Sequence, residues 1–250
     1  MSNTYNPWPI GKVPVALQRR EPEMVRALGY HFDDHRELVT IFENKVAQFA
    51  GSKYAVAVDC CTHAIELSFR YLIHKKELDP YDTLDTGQVL LVPTQTYVSA
   101  ALVPIHLGFY IVYDDIKWSG GYYYQTGIGF INERTRIFDG AVRWKRGMYE
   151  GNNSLHCLSF QIKKTIPIGR GGMILTDDKE AADWLKLASY DGRDLTLPYD
   201  HPDHVKMNGY HYYMPPECAA RGILLMHSIK QEGDSADWSN YPDVKKMLKL

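Results

Sequence analysis

The stretch YAVAVDCCTHAIELSFRYLI, residues 54–73, decides the fold. Tyr54 to Val58 is a short run of strand-forming residues. Asp59-Cys60-Cys61-Thr62 follows, and from Thr62 to Leu78 the apolar side chains Ile65, Leu67, Leu72 and Ile73 fall at helical spacing. A strand that feeds directly into a helix is the repeating step of an α/β layer architecture.

The same alternation extends outward on both sides. Upstream, Leu38, Ile41, Phe42, Val46 and Phe49 predict a helix from Asp34 to Ala50, ended by Gly51 and preceded by an irregular opening with Pro7, Pro9 and Pro14. Downstream, Val89 to Val92 reads as a strand, Val98 to Leu107 as a helix and Phe109 to Tyr113 as a strand. Three further strands are expected at Arg136–Phe138, Ser154–Phe160 and Gly172–Thr176, and helices at Lys179–Tyr190 and at Pro216–Lys230, where a Pro-Pro pair suits a helix start. Trp118 to Gly129, with its Gly and Tyr clusters, breaks the pattern and reads as a loop. The last 20 or so residues are polar and read as a partly frayed tail. The alternation predicts an α/β fold with a mostly parallel central sheet.

Composition narrows the function classes. The 250 residues are 45% hydrophobic and 23% charged, which fits one main globular domain. A net charge of -2 supplies no cationic field for nucleic acid. No apolar run approaches the ~18 residues of a membrane span. Cys60, Cys61, Cys157 and Cys218 lack the spacing of a zinc site or a disulfide scaffold, so a reducing, cytoplasmic setting is expected. The ten histidines show no HExxH spacing; His31 and His35 read as surface residues, and no metal is expected.

In a sheet of this kind ligands bind beyond the carboxyl ends of strands. Asp59-Cys60-Cys61-Thr62 opens a helix there and offers backbone N–H groups, a hydroxyl and a positive dipole end to an anion, although a simple helix cap is the commoner use of such a residue. Asp139 ends an apolar strand before Gly140-Ala141, where a carboxylate can hold a protonated ring nitrogen or merely make a turn. Ser159 to Lys164 runs on to Gly169-Arg170-Gly171-Gly172, and a lysine there is either a desolvated nucleophile or an exposed turn residue. Tyr122-Tyr123-Tyr124 suits a sugar site, a packed loop or a dimer contact equally.

Taken in order, these motifs resemble one family. Phe42-Glu43 through Phe49-Ala50, Ala55 to Val58, Cys60-Cys61-Thr62, Pro93-Thr94-Gln95-Thr96-Tyr97-Val98, Phe138-Asp139-Gly140-Ala141 and Ser159-Phe160 five residues before Lys164 are similar to the DegT/StrS sugar aminotransferases. Gly171 to Asp178 and Gly209-Tyr210-His211-Tyr212-Tyr213-Met214 continue the likeness, which covers roughly residues 40–228. The resemblance implies the three-layer fold of pyridoxal 5'-phosphate (PLP) dependent transferases. It divides the chain into an N-terminal arm (1–33), a PLP-binding large domain (34–230) and a short C-terminal tail (231–250), with the usual small domain reduced or absent.

By the same resemblance Lys164 matches the lysine that forms the Schiff base, with Lys163 its rival, and Asp139 the aspartate that pairs with the pyridinium nitrogen. Thr62 and Ser159, with Cys61 beside them, fall where the cofactor phosphate is bound; Tyr97 matches the aromatic residue stacked on the ring. His211 stands where an Asn reaches the phosphate of a neighbouring subunit, so a homodimer with shared active sites is implied. Other departures stand out: Cys61 for a glycine, Val142 for a polar residue, Tyr213 for an arginine, Arg170 for an acidic residue, and a shortened stretch between Asp114-Asp115 and Asp139. The activity implied is ping-pong transfer of an amino group from an amino acid, glutamate above all, to a nucleotide-linked keto sugar. The alternative is a PLP- or nucleotide-sugar-binding homologue with a regulatory or scaffolding role.

Overall fold

The computed structural model describes residues 20–81, 89–128 and 131–249. The Pro7, Pro9 and Pro14 opening, and with it most of the expected arm, lies outside them. Seven α-helices fall within these residues: α1 (Glu21–Ala27), α2 (Glu37–Ala50), α3 (Cys61–His74), α4 (Val98–His106), α5 (Lys179–Ser189), α6 (Pro216–Ser228) and α7 (Val244–Leu248). The strands are β1 (Tyr54–Val58), β2 (Val89–Pro93), β3 (Ile111–Asp114), β4 (Tyr122–Ile128), β5 (Ile131–Asp139), β6 (Arg143–Trp144), β7 (Leu155–Ser159), β8 (Gly172–Thr176) and β9 (Gly233–Asp234). Gly51 takes the left-handed conformation (φ 83°) that ends α2, a geometry glycine enters without steric cost.

The three-layer α/β expectation holds. A seven-stranded sheet, ordered β1-β8-β7-β5-β4-β2-β3, lies between two helical layers. Strand side chains alternate between its faces. Val56, Val58, Val92 and Ile174 pack with α3, α4 and α5 on one side; Ala55, Ala57, Met173 and Leu175 pack with α1, α2 and α6 on the other.

The expectation of a mostly parallel sheet needs correction. Only β2·β3 and β5·β7 pair in parallel, and the other four neighbouring pairs are antiparallel. The cause is connection length. A parallel return needs a crossover of about a dozen residues or more. Two residues separate β4 from β5, so β4 pairs with β5 as a hairpin, Ile128 opposite Ile131. No helix joins β7 to β8, so β8 also comes back antiparallel. The expected loop at Trp118–Gly129 thus contains a strand in the middle of the sheet. Both exceptions leave the remaining five strands pointing one way, and their carboxyl ends share one edge.

The last residues are anchored rather than frayed. β9 pairs with β6, Trp238–Asn240 forms a 3₁₀ turn, and the Val244 N–H donates to the Thr94 carbonyl at 2.9 Å. Their partners are backbone groups far away in sequence, which no local periodicity reveals.

Candidate active site

The shared edge opens into a cavity of about 550 Å³, within the ~300–1,000 Å³ typical of small-molecule sites. Cys61, Thr62, Tyr97, Asp139, Ser159 and Lys164 all line it. They come from separate places: the start of α3, the residue before α4, the end of β5, the end of β7 and the β7–β8 connection.

The α3 end is built for an anion. Cys60 sits before the helix in an extended conformation (φ -162°) and makes no side-chain cap. The first intrahelical bond is Ala64 N–H to the Cys60 carbonyl (3.1 Å), so the N–H groups of Cys61, Thr62 and His63 precede the helical ladder. The Thr62 hydroxyl donates to Ser99 Oγ at 3.0 Å. Gly172 presses on this turn so closely that a Cβ there would stand 2.4 Å from the Cys60 carbonyl carbon. Burial pushes the Cys61 thiol well up, and the nearby Asp139 charge adds to it. Cys61 therefore stays a neutral thiol beside the lysine.

Asp139 is 6% exposed. Its carboxylate accepts from the Ala141 N–H at 3.1 Å, and the nearby Tyr122 hydroxyl, itself bonded to Thr96 Oγ1 at 2.9 Å, favours its charged form. Burial nevertheless holds its pKa above the usual carboxylate value. Lys164 shows the converse. Burial lowers its pKa, opposed by the Asp139 charge and helped by Lys163. Among the described residues no carboxylate lies within ion-pair distance of its amine. The loop that carries it is closed by the Lys164 N–H to the Gln161 carbonyl (2.8 Å) and the Gly169 N–H to the Phe160 carbonyl (3.1 Å). Lys163 also borders the cavity, from a more exposed position.

Ser159 is the last residue of β7, and its Oγ lies 3.4 Å from the Gln161 N–H. Tyr97 is 60% exposed and presents an open aromatic wall. His211 is not brought to this cavity. Its side chain is 70% exposed and its Nδ1 lies 3.0 Å from Asp191.

Asp59 explains one departure. Arg170, unexpected beside the turn, pairs with Asp59 at 2.7 Å, and His63 Nδ1 meets the same carboxylate at 2.5 Å. Burial would raise the Asp59 pKa, but the His63 and Arg170 contacts outweigh it and lower it. Burial likewise opposes charge on His63, yet its hydrogen bond to Asp59 and that carboxylate's charge raise it to about 9. His63 stacks on Tyr212, ring centroids 3.6 Å apart.

Several lining residues escaped the sequence reading of the site, Trp118 and Tyr241 among them. Tyr122 was open among three uses, and its place here follows from β4: Tyr122 and Tyr124 face inward, Tyr124 donating to the Ala100 carbonyl at 2.8 Å as a core residue. The strand signal was present in the run of Tyr and Thr residues. Trp118 and Tyr241 line the cavity together, with ring centroids 5.4 Å apart. Only the Asp243 cap ahead of Val244 hinted at structure in the tail.

A lysine, a buried aspartate and an anion-ready helix start, meeting at the carboxyl edge of this three-layer sheet, fit a PLP-dependent transferase of the aspartate-aminotransferase class. The amine suits an aldehyde, the carboxylate a protonated ring nitrogen, and the α3 turn a phosphate.

Comparison with known proteins agrees. The DegT/DnrJ/EryC1/StrS aminotransferase family model matches residues 21–127 and 145–235, and the chain belongs to that family. It is 27% identical over 184 residues to the spore coat polysaccharide biosynthesis protein SpsC of Bacillus subtilis, a match covering 60% of this chain and 45% of SpsC. Its fold is similar to that of AtS13 from Actinomadura melliaura (TM-score 0.64, 19% identity, 84% of this chain and 64% of AtS13). It is also similar to Spr1654 of Streptococcus pneumoniae in its PLP form (TM-score 0.57, 18% identity, 83% and 63% of the two chains). The chain thus spans between about half and two thirds of the length of these proteins. Among the described residues no helix is long and apolar enough to cross a membrane.

Proposed function

We propose that this protein is a PLP-dependent aminotransferase that moves an amino group from an amino acid, most simply glutamate, to a nucleotide-linked keto sugar. The observation that carries the reading is the convergence of Lys164 and Asp139, from the β7–β8 connection and the end of β5, on one cavity with the α3 start. PLP, when bound, supplies an electron sink for charge that develops on the substrate carbon.

The chain's own residues divide the remaining work. Lys164, with its amine pKa lowered by burial, would hold the cofactor through its amine and would carry a proton to and from the substrate carbon as general base and acid. Asp139 would hold a proton on the cofactor's ring nitrogen, and the Ala141 N–H fixes the carboxylate in place. The N–H groups at the start of α3, with the Thr62 and Ser159 hydroxyls, bind the phosphate. Tyr97 covers one side of the site and excludes water. Cys61 crowds this turn as an uncharged side chain.

His211 is assigned to a second copy. It is exposed and held by Asp191 away from its own cavity, which agrees with a homodimer whose sites are shared. The thiols of Cys60, Cys61 and Cys157, none of them in a disulfide, agree with a cytoplasmic setting. In solution, adding glutamate to the PLP-loaded protein is expected to convert its absorbance to that of the pyridoxamine form, and Lys164→Ala to abolish the conversion. A loaded protein whose spectrum ignores every amino acid, with or without a nucleotide-linked keto sugar, would instead support the regulatory binder.

A further inference from the structure

The C-terminal segment from Gly233 to Leu248 crosses the mouth of the cavity and is tied to both loops that carry site residues. After β5, the Ser235 N–H donates to the Val142 carbonyl at 2.8 Å. Beside Trp118, the Trp238 N–H donates to its carbonyl (3.1 Å) and the Lys117 amine lies 3.7 Å from the Trp238 ring centroid. After β2, the Val244 N–H donates to the Thr94 carbonyl (2.9 Å) and Gln95 Nε2 to the Tyr241 carbonyl (3.4 Å). The segment therefore joins the β2 loop leading to Tyr97 to the β5 loop leading from Asp139.

Tyr241 is the side chain this strap delivers. It lines the cavity, packs on Trp118, and feels the charge of Asp139. Burial, with the Asp139 charge adding to it, pushes its phenol up to about 12, so its hydroxyl remains a hydrogen-bond donor at physiological pH. Val142 contributes no polar atom from its side chain, and its carbonyl is already taken by Ser235 N–H and Oγ (3.2 Å). The strap is where a polar side-chain donor enters on that side.

We propose that Tyr241 is a positioning residue of the cofactor pocket, supplied in cis by the C-terminal strap to wall off the Asp139 end with its ring and to donate one hydrogen bond there. The proposal rests on the PLP reading above. Its aromatic ring and its hydroxyl make separable contributions, which a pair of substitutions resolves.

The test is PLP titration of the full chain and of Tyr241→Ala and Tyr241→Phe, followed by visible absorbance over a pH series. Tyr241→Ala is expected to weaken PLP binding about tenfold, the loss of an aromatic wall of about 1.4 kcal/mol. Tyr241→Phe is expected to recover most of that affinity while the pH midpoint of the bound cofactor's visible band moves up by about half a unit to one unit, since removing a donor favours the protonated forms nearby. Near-UV circular dichroism of the cofactor-free proteins serves as the control for folding, and Tyr241→Phe remains informative if Tyr241→Ala does not fold. Native affinity and an unmoved midpoint in Tyr241→Phe, with native affinity in any folded Tyr241→Ala, would overturn the proposal and leave the PLP reading intact. Failure of the native chain to take up PLP would overturn both.

Discussion

Asp59 and Asp139 occupy equivalent places in the architecture, one just past β1 and the other at the end of β5, yet their surroundings drive them in opposite directions. Asp59 meets two cations, Arg170 and His63, and its pKa falls. Among the described residues Asp139 meets no cation within ion-pair distance; it accepts from the Ala141 N–H, lies almost wholly buried, and its pKa rises. The first carboxylate is spent on holding the fold of the α3 turn. The second is kept available, at a cost in stability, for a cation that the protein itself does not supply. Residue type and topological position are the same; the partners decide the role.

The contrast is sharpest in Asp139→Asn. An amide still accepts from the Ala141 N–H but carries no charge, so turnover is expected to fall about a hundred- to a thousand-fold, measured as steady-state amino transfer. The cofactor-free chain should at the same time gain about 1 kcal/mol at neutral pH in a denaturant titration, because a raised carboxyl pKa means that stability falls as pH climbs through the folded value. Loss of stability on this substitution would break the comparison.

Asp59→Asn is expected to act the other way. The His63 pKa of about 9 should drop toward 6.5, followed by NMR of the ring protons. Because the folded pKa is raised, the stability it brings is fully present below pH 6.5 and lost as pH rises toward 9. The native chain should therefore lose Tm across that window and the variant should not. Asp59's own lowered pKa adds a second loss, below its ordinary value of 3.8, as pH falls.

His156 gives a smaller effect beside Asp139. It lies buried against the Phe138 ring, and burial together with the Arg143 charge pushes it down to about 3. It is neutral in the fold, so stability should fall as pH drops from 6.5 toward 3. His156→Gln is expected to flatten that limb of an acid titration. The smallest effect belongs to Arg170→Ala. Its side chain is 69% exposed, and loss of such a pair costs about 0–1 kcal/mol, read as a small shift of the denaturant midpoint.

How much of this was legible follows from range. The β1–α3 step, the β5 and β7 ends and α6 were visible because strand propensity and helical spacing are local. β4 was missed because Gly120-Gly121 and Gly127 punctuate its run of strand formers and read as turns. Its direction was set by the two residues left before β5, not by any pattern within it. Arg170 looked anomalous until folding placed Asp59 opposite, 111 residues away. The strap was unreadable for the same reason: Ser235 and Val244 are held by backbone carbonyls of Val142 and Thr94, and carbonyls leave no trace in a sequence. The six cavity residues were named from motif order, and His211, named with them, lies outside the cavity of its own chain.

The central claim is that the Lys164 amine, and not that of Lys163, holds PLP in this cavity. Reduction of the PLP-loaded protein with borohydride, followed by peptide mapping by mass spectrometry, tests it directly. The expected result is a single pyridoxyl label on Lys164, absent from Lys164→Ala. A label on Lys163, or no reducible label on a protein that has been given PLP, would contradict it.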